Sequence, residues 1–424
     1  MTDPSRITLG VIADDFTGAT DVASMLVRSG MRTVQVIGIP QGPTPAADAV
    51  VVALKSRTTA AADAVAASLA ALRWLQDAGA RQFYFKYCST FDSTAAGNIG
   101  PVADALLDAL GSDFAIACPA FPENGRTVFR GHLFVGDQLL SDSGMRNHPL
   151  TPMTDSNLVR VLQSQTRSAV GLLRYDTLAR GVEAARSGIA ALRADDVRLA
   201  IADAVSNDDL RVLAQACADL PLITAGSGVA LGLPVVYAER GWLVPDQRAA
   251  TLDSVGGSAA VISGSCSSAT NAQVGDWVAA GRPAWQIDVQ ALAGGAPVAE
   301  QALAWAAVEG RQQPVLIYAT AEPAQVQQVQ SALGADRAGQ LVEHCLARIA
   351  AGLVDGGVRR LVIAGGETSG AVVQALGVSS LRIGATIDPG VPWTQAEGRP
   401  LLLALKSGNF GSVDFFAKAL DLVD

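Results

Sequence analysis

The sequence predicts an α/β protein of two α/β domains, each with a mostly parallel sheet flanked by helices. Three features predict it. Short apolar runs alternate with longer helical patterns from end to end, the rhythm of βαβ units. The runs are apolar throughout rather than every second residue, as in strands buried on both faces. Polar or glycine-rich clusters stand repeatedly just after them, where open parallel sheets bind ligands.

In chain order, 7–13 reads as a buried strand closed by Asp14, Asp15 and Gly18, and 21–29 as a helix ended by Gly30. Strands follow at 33–37 and 49–54, then a helix over 60–78 and strands at 82–87 and 114–118. From 119 to 155 the texture changes to Pro, Gly, charged and amide residues with little periodicity, which reads as a long functional or lid-like loop. The rhythm resumes with strands at 171–173 and 197–202, a helix at 208–218, and a strand at 222–225 running into Gly226-Ser227-Gly228. A composition break at 238–257, with its Gly256-Gly257 pair, marks a linker between a first domain, 1–237, and a second, 258–424. The second series runs through 259–263, 270–279, 315–318, 337–355, 360–364, 372–376 and 401–405.

Composition narrows the function classes. Lys and Arg total 31 against 40 Asp and Glu, a formal charge of −9, so a broad nucleic-acid-binding face is not expected. The five Cys are scattered without a CxxC pair, and with three His they make no zinc or Cys-His nucleophile pattern. They read as reduced thiols of a cytoplasmic protein. Residues 1–10 lack the charged and apolar regions of a leader, and no segment reaches the roughly 20 apolar residues of a membrane span.

The chemistry collects at strand ends. Asp14-Asp15-Phe16-Thr17-Gly18-Ala19-Thr20-Asp21 carries more carboxylates than a helix cap needs, and points to hydroxyl recognition with a general base or metal-facing carboxylate. Lys55-Ser56-Arg57-Thr58 offers a guanidinium fork suited to a carboxylate. Lys86, Ser89, Thr90 and Asp92, ahead of Gly97-Asn98-Ile99-Gly100-Pro101, suit a polyol acid. In the second half, Ser263–Ser268, Gly365-Gly366-Glu367-Thr368-Ser369-Gly370 and Lys406-Ser407-Gly408-Asn409-Phe410-Gly411 each follow a strand. Together they read as a nucleotide cradle of backbone N–H groups and helix termini. No GxxxxGK[ST] occurs and no strict GxGxxG follows a strand, so neither a P-loop nor a dinucleotide fold is indicated. The elbow-like Gly366–Gly370 has no His partner, since His344 falls on an expected exposed helix.

The motifs IADDFTGATDVA, KSRT, FKYCSTFDSTAAGNIGP, GHLFVGDQLLSDSGMRNHPLTPMTDSNLVRVL, GGETSGAVV and LALKSGNFG resemble the four-carbon acid sugar kinases over nearly the whole chain. Among these they look most like the members acting on 3-oxo-tetronates. The resemblance implies a sugar-acid-binding first domain, a nucleotide-binding second domain and an active site in the cleft between them. The implied activity is ATP-dependent phosphorylation of the 4-hydroxyl of a 3-oxo-tetronate of the 3-dehydro-erythronate type, with Mg²⁺, giving the 4-phosphate and ADP. Asp14, Asp15, Arg57, Lys86, Ser89, Thr90 and Asp92 would hold the substrate, with Asp15 accepting the hydroxyl proton and Arg57 or Lys86 pairing the carboxylate. Ser265, Gly365, Gly366, Glu367, Thr368 and Gly408 would line the nucleotide, Glu367 near the ribose or a metal-bound water. Asp14 or Asp92 would orient the polyol or Mg²⁺, with no metal ligand fixed. Residues 119–155, with Arg126, Arg130, His132, Asp137 and Arg146, would close over the site or pack on a second subunit as a homodimer. A kinase for threonate, erythronate or 4-hydroxythreonine, and a non-catalytic sugar-acid-binding regulator, are the alternatives.

Overall fold

The structure, a computed structural model, describes residues 7–40, 42, 44–148 and 150–423, so residues 1–6, where no leader is read, lie outside the described residues. The chain divides into two compact units, Met1–Ala250 and Thr251–Asp424.

The first unit runs β1 (Leu9–Ala13), α1 (Phe16–Arg28), β2 (Thr33–Ile37), β3 (Ala49–Ala53), α2 (Ala61–Asp77), β4 (Gln82–Lys86), α3 (Ile99–Leu110) and β5 (Ala115–Cys118). After three short antiparallel strands, β6 (Arg126–Phe129), β7 (His132–Val135) and β8 (Gln138–Leu139), come α4 (Leu158–Gln163), β9 (Ala169–Leu173), α5 (Tyr175–Leu178) and α6 (Val182–Ala194). The unit closes with β10 (Val197–Ala202), α7 (Asn207–Ala216), β11 (Leu222–Ala225) and α8 (Leu233–Glu239). Its main sheet is wholly parallel, in the order β2–β3–β1–β4–β11–β5–β10–β9. β1 and β3 are buried at every position, which is why LGVIA and AVVVA carry no polar residue. The chain leaves β1 toward β3 and β2 on one side and returns to pair β4 on the other, so β1 is the switch point of the sheet. Ala13 is in register with both Ala53 and Lys86, so the segments after β1, β3 and β4 emerge side by side.

Three local expectations change. The first helix starts at Phe16 rather than 21, because the Asp15 side chain accepts from the Gly18 amide and caps it. Asp21 therefore lies in the second turn of the helix rather than at its first position. Residues 99–110 are helical although Gly100-Pro101 disguises them, since Pro101 falls in the first turn where its missing N–H costs nothing. The aperiodic 119–155 contains the β6–β8 meander, whose strands are too short to show a period. Its first turn, with Arg130 at φ 49° and Gly131 at φ 73°, is rooted on buried Asp203, which accepts from the amides of Arg130, Gly131 and Tyr175.

The second unit runs β12 (Ser258–Ser263), α9 (Ser268–Ala279), β13 (Ala284–Gln286), α10 (Val289–Ala293), α11 (Val298–Glu309), β14 (Val315–Tyr318), α12 (Pro323–Leu333) and α13 (Ala335–Asp355). It continues with β15 (Val358–Ala364), α14 (Gly366–Ala375), β16 (Ser380–Asp388), β17 (Val391–Ala396), β18 (Leu402–Lys406) and α15 (Phe415–Asp421). Strands β13–β14–β12–β15–β18 are parallel, and β17 and β16 extend the sheet antiparallel. Trp277, Trp393, Phe415 and Phe416 anchor a core between this sheet and helices α9 and α15. Ser263 pairs Ala364 and Ala364 pairs Lys406, so here too three strand ends finish level.

Candidate functional site

At the switch point of the first unit, the three polar clusters meet. Arg57 donates from Nε to Asp14 Oδ2 at 2.9 Å and from Nη2 to Asp14 Oδ1 at 2.7 Å, with a third bond from Nη2 to Asp15 Oδ1 at 2.6 Å. The fork is held in place from behind. The amides of Ser56 and Arg57 both donate to the Asp14 carbonyl, and Asn98 Nδ2 donates to the carbonyls of Ser56, Arg57 and Thr59. Asp15 also accepts from Gly18 N at Oδ1 and from Thr17 Oγ1 at Oδ2. A Cβ on Gly18 would lie 2.2 Å from Asp15 Oδ1 and 2.9 Å from Lys86 Nζ, so any side chain there displaces the carboxylate or the ammonium.

The electrostatics separate the two adjacent carboxyls. Burial pushes Asp14 above the usual carboxylate range, against the pull of Arg57. Burial acts on Asp15 too, but Arg57, Lys86 and the bonds from Thr17 and Gly18 outweigh it and hold the group low. Lys86 is 2% exposed and donates to the Tyr87 carbonyl at 2.8 Å. Thr90 Oγ1 donates to Asp92 Oδ1 at 2.6 Å within the following turn, where Phe91 holds φ at 51° with its ring edge-on to Tyr87. That turn adjoins Arg57 through Cys88, whose thiol is pushed up to about 12 by burial and Asp92, against the pull of Arg57. Ser89 is buried beside them in sequence.

Two charged residues outside the expected substrate contacts join this cluster: Asp21, read only as part of the acidic stretch, and Arg126, read only as part of the segment that would close over the site. Asp21 is 4% exposed, accepts from Ser227 Oγ at 2.6 Å through Oδ2, and has no partner at Oδ1 among the described residues. Burial raises its carboxyl to about 6, opposed by Lys86 and the Ser227 bond. Arg126, from the meander, is drawn below its ordinary value by burial, while Cys88, Asp21 and Asp92 act on it in the opposite sense. A sequence signal for Asp21 exists: it stands four residues after Thr17, on the same face of a helix that starts at Phe16. Among the other charged or titratable residues of 119–155, His132 only joins local bonds of the meander, to the Arg130 carbonyl and Asn157.

In the second unit, Ser265, Gly365, Thr368 and Gly408 come together. The amides of Gly264 and Ser265 donate to the Ala364 carbonyl, and that of Gly365 to the Lys406 carbonyl. A Cβ on Gly264 would sit 2.2 Å from Thr368 Oγ1, and one on Gly408 2.4 Å from Ser265 Oγ. Gly365, at φ 125°, opens α14, whose first turn carries Gly366 and the exposed Glu367. Ser267 caps α9 and also donates to the Gly408 carbonyl at 2.6 Å. Lys406 lies fully buried under the loop, where Nζ donates to Thr270 Oγ1 and to the carbonyls of Ser407, Gly408 and Phe410 at 2.9–3.1 Å. Burial draws its ammonium down to about 7, while the four oxygens favour the charged form. No group of three His, Cys, Asp or Glu is placed to hold a metal among the described residues. No described helix is long and apolar enough to cross a membrane.

Residues 9–233 match the profile of a sugar-binding N-terminal domain, and 260–416 that of a nucleotide-binding C-terminal domain. The chain is 67% identical to a 3-oxo-tetronate kinase of Pseudomonas fluorescens, over 98% of this chain and 97% of the relative. It is 65% identical to a 3-oxo-tetronate kinase of Burkholderia multivorans, over 99% and 98%. A crystal structure from Salmonella typhimurium LT2, described provisionally as a tRNA synthase, superposes with a TM-score of 0.85 at 45% identity, covering 97% of this chain and 98% of that one. A Haemophilus influenzae structure of family DUF1537 gives 0.78 at 45% identity, covering 98% and 100%.

Proposed function

The chain belongs to the four-carbon acid sugar kinase family, and from that membership we propose that it is an ATP-dependent 3-oxo-tetronate kinase that phosphorylates the 4-hydroxyl. The observation that carries the reading is the Asp14–Arg57–Asp15 cluster at the switch point of the sugar-binding unit. Arg57 uses Nε and Nη2 on the two carboxylates, which leaves Nη1 to face the substrate carboxylate, with Lys86 adding positive charge behind it. Asp15 accepts two bonds at Oδ1 and one at Oδ2, so Oδ2 keeps a lone pair for the 4-hydroxyl.

The low pKa of Asp15 is compatible with this role. In a loose phosphoryl-transfer transition state the attacking hydroxyl loses its proton late, so orientation counts for more than basicity. Thr90 and Asp92, already bonded to each other, would meet the remaining oxygens together with Ser89 and Asp14. Ser265, Gly365, Gly366, Glu367, Thr368 and Gly408 would line the nucleotide. Mg²⁺ neutralises phosphate charge when bound with ATP. It needs few protein ligands beyond the phosphates, and exposed Glu367 in the first turn of α14 suits one of them or its water. A tRNA-sized polyanion fits poorly on a chain of charge −9. A cytoplasmic location and a homodimer belong to the same reading, the latter tested by light scattering.

The decisive test offers 3-oxo-tetronates, threonate, erythronate and 4-hydroxythreonine with ATP and Mg²⁺, and reads the product by phosphorus NMR. A 3-oxo-tetronate 4-phosphate formed in preference to the others is expected. A preference for a 3-hydroxy acid, where one hydrogen-bonding group makes the difference, would replace the substrate. Phosphate at another oxygen, or on no C4 acid, would overturn the function.

A further inference from the structure

The sequence Lys406-Ser407-Gly408-Asn409 invites the reading that Lys406 touches phosphate as a point charge. Its geometry is different. The side chain is fully buried, and its ammonium is surrounded by four oxygens at 2.9–3.1 Å, three of them carbonyls of the loop that follows it. Gln273 Nε2 extends the pattern, donating to the carbonyls of Phe410, Gly411 and Ser412 at 3.0–3.1 Å. Ser267 and Thr270 add hydroxyl donors to the Gly408 carbonyl at 2.6 and 2.8 Å. Five carbonyls of a six-residue loop are thus drawn to one side.

In a trans peptide the N–H points away from the C=O of the same plane. The planes whose carbonyls bind Lys406 carry the amides of Gly408, Asn409 and Gly411, and these three amides donate to nothing among the described residues. The next amide, of Ser412, is taken by Asp388 Oδ2 at 2.8 Å. The Phe410 amide, between those of Asn409 and Gly411, turns back to the Ser407 carbonyl at 3.2 Å, so the outward set is Gly408, Asn409 and Gly411 alone. Amides facing away from a gathered set of carbonyls form an anion-binding concavity.

We propose that Lys406 acts as a tethered monovalent cation: its ammonium gathers the carbonyls of Ser407, Gly408 and Phe410, and so aims the amides of Gly408, Asn409 and Gly411 at the nucleotide phosphates. Lys406 is then a positioning residue that never touches the nucleotide. The proposal rests on the nucleotide reading of the second unit.

The test is ATP binding by calorimetry, with steady-state kinetics in parallel, on wild type, Lys406→Ala and Lys406→Met. Lys406→Ala is expected to weaken ATP binding about tenfold or more, the scale of losing charge-assisted hydrogen bonds, and to raise KM for ATP more than it lowers kcat. Propylammonium chloride, which supplies stem and ammonium together, is expected to restore the affinity of Lys406→Ala, whereas 1-propanol and equimolar NaCl are not. Lys406→Met, whose site is already filled, stays weak with or without the amine. Rescue by propanol as good as by the amine, or Lys406→Ala affinity within about twofold of wild type, would overturn the proposal. If Lys406→Ala does not fold, Thr270→Val removes one ligand of the ammonium, and an unchanged ATP affinity there overturns it equally. A wild type that binds no ATP sinks the kinase reading and this proposal with it; a wild type that binds ATP no better than Lys406→Ala sinks this proposal alone.

Discussion

Asp15 and Asp21 divide two tasks that the sequence presents as one acidic stretch. Asp15 is held low by Arg57 and Lys86 and keeps an open lone pair, so Asp15→Asn is expected to lower kcat by roughly 10²–10⁴ while ATP affinity is retained. Near-wild-type turnover would remove it from the role of proton acceptor. Asp21 is buried, and its carboxyl is raised from 3.8 to about 6. A raised carboxyl favours the protonated folded state, so its contribution is fully present below pH 3.8 and is lost as pH rises through about 6. Above that pH the buried charge opposes folding, at a cost of about 3 kcal/mol for a shift of this size. Asp21→Asn should therefore raise the urea midpoint at pH 7.5, with the gain fading toward pH 4. A midpoint gain that is equal at both pH values would contradict the titration. Asp21 was legible only as one more Asp in a cluster; its depth depends on where α1 begins and on Ser227, which lies 206 residues away.

At the level of the element, the start of α1 and the strand ends decide the site. Alanine normally stabilises a helix over glycine by about 0.5–1 kcal/mol. At Gly18 the added Cβ would strike Asp15 Oδ1 and press on Lys86 Nζ, so Gly18→Ala should raise KM for the sugar acid at least about tenfold, without any gain in melting temperature. Unchanged kinetics in that variant would show that the tight fit is not needed. The strands were readable because parallel strands buried on both faces leave continuous apolar runs, as in β1, β3 and β12. Boundaries were less so. A side-chain cap at Asp15 and a proline in the first turn of α3 are contacts or tolerances that periodicity does not register. The β6–β8 meander escaped because its strands are too short to show a period. The antiparallel β16 and β17 escaped because register shifts break the alternation of β16, and β17 buries polar Thr394 and Gln395.

For the molecule as a whole, each unit collects its polar clusters at level strand ends, so the two ligands should leave separate footprints. Hydrogen exchange is expected to slow in 14–21, 55–59 and 86–98 on adding the sugar acid, and in 263–268, 365–369 and 406–412 on adding a non-hydrolysable ATP analogue. Protection by both ligands in the same segments would contradict the assignment. A charge of −9 sits awkwardly with two anionic ligands, but net charge acts at long range, whereas a small acid needs only a few cations fixed in place, as Arg57 is by Asp14 and Asp15. Arg57 itself was legible as a cation after a strand; its anchorage was not, because Asn98 reaches it through backbone oxygens from 41 residues downstream. That mode of anchorage matters for re-engineering the enzyme. Backbone oxygens are supplied by every amino acid, so a library that randomises Lys55 and Thr58 under an invariant Asn98 is expected to keep the path of the loop that carries Arg57. With the acid bound at Arg57 as proposed, such a library tests selectivity among sugar acids at a point where the scaffold does not have to be rebuilt.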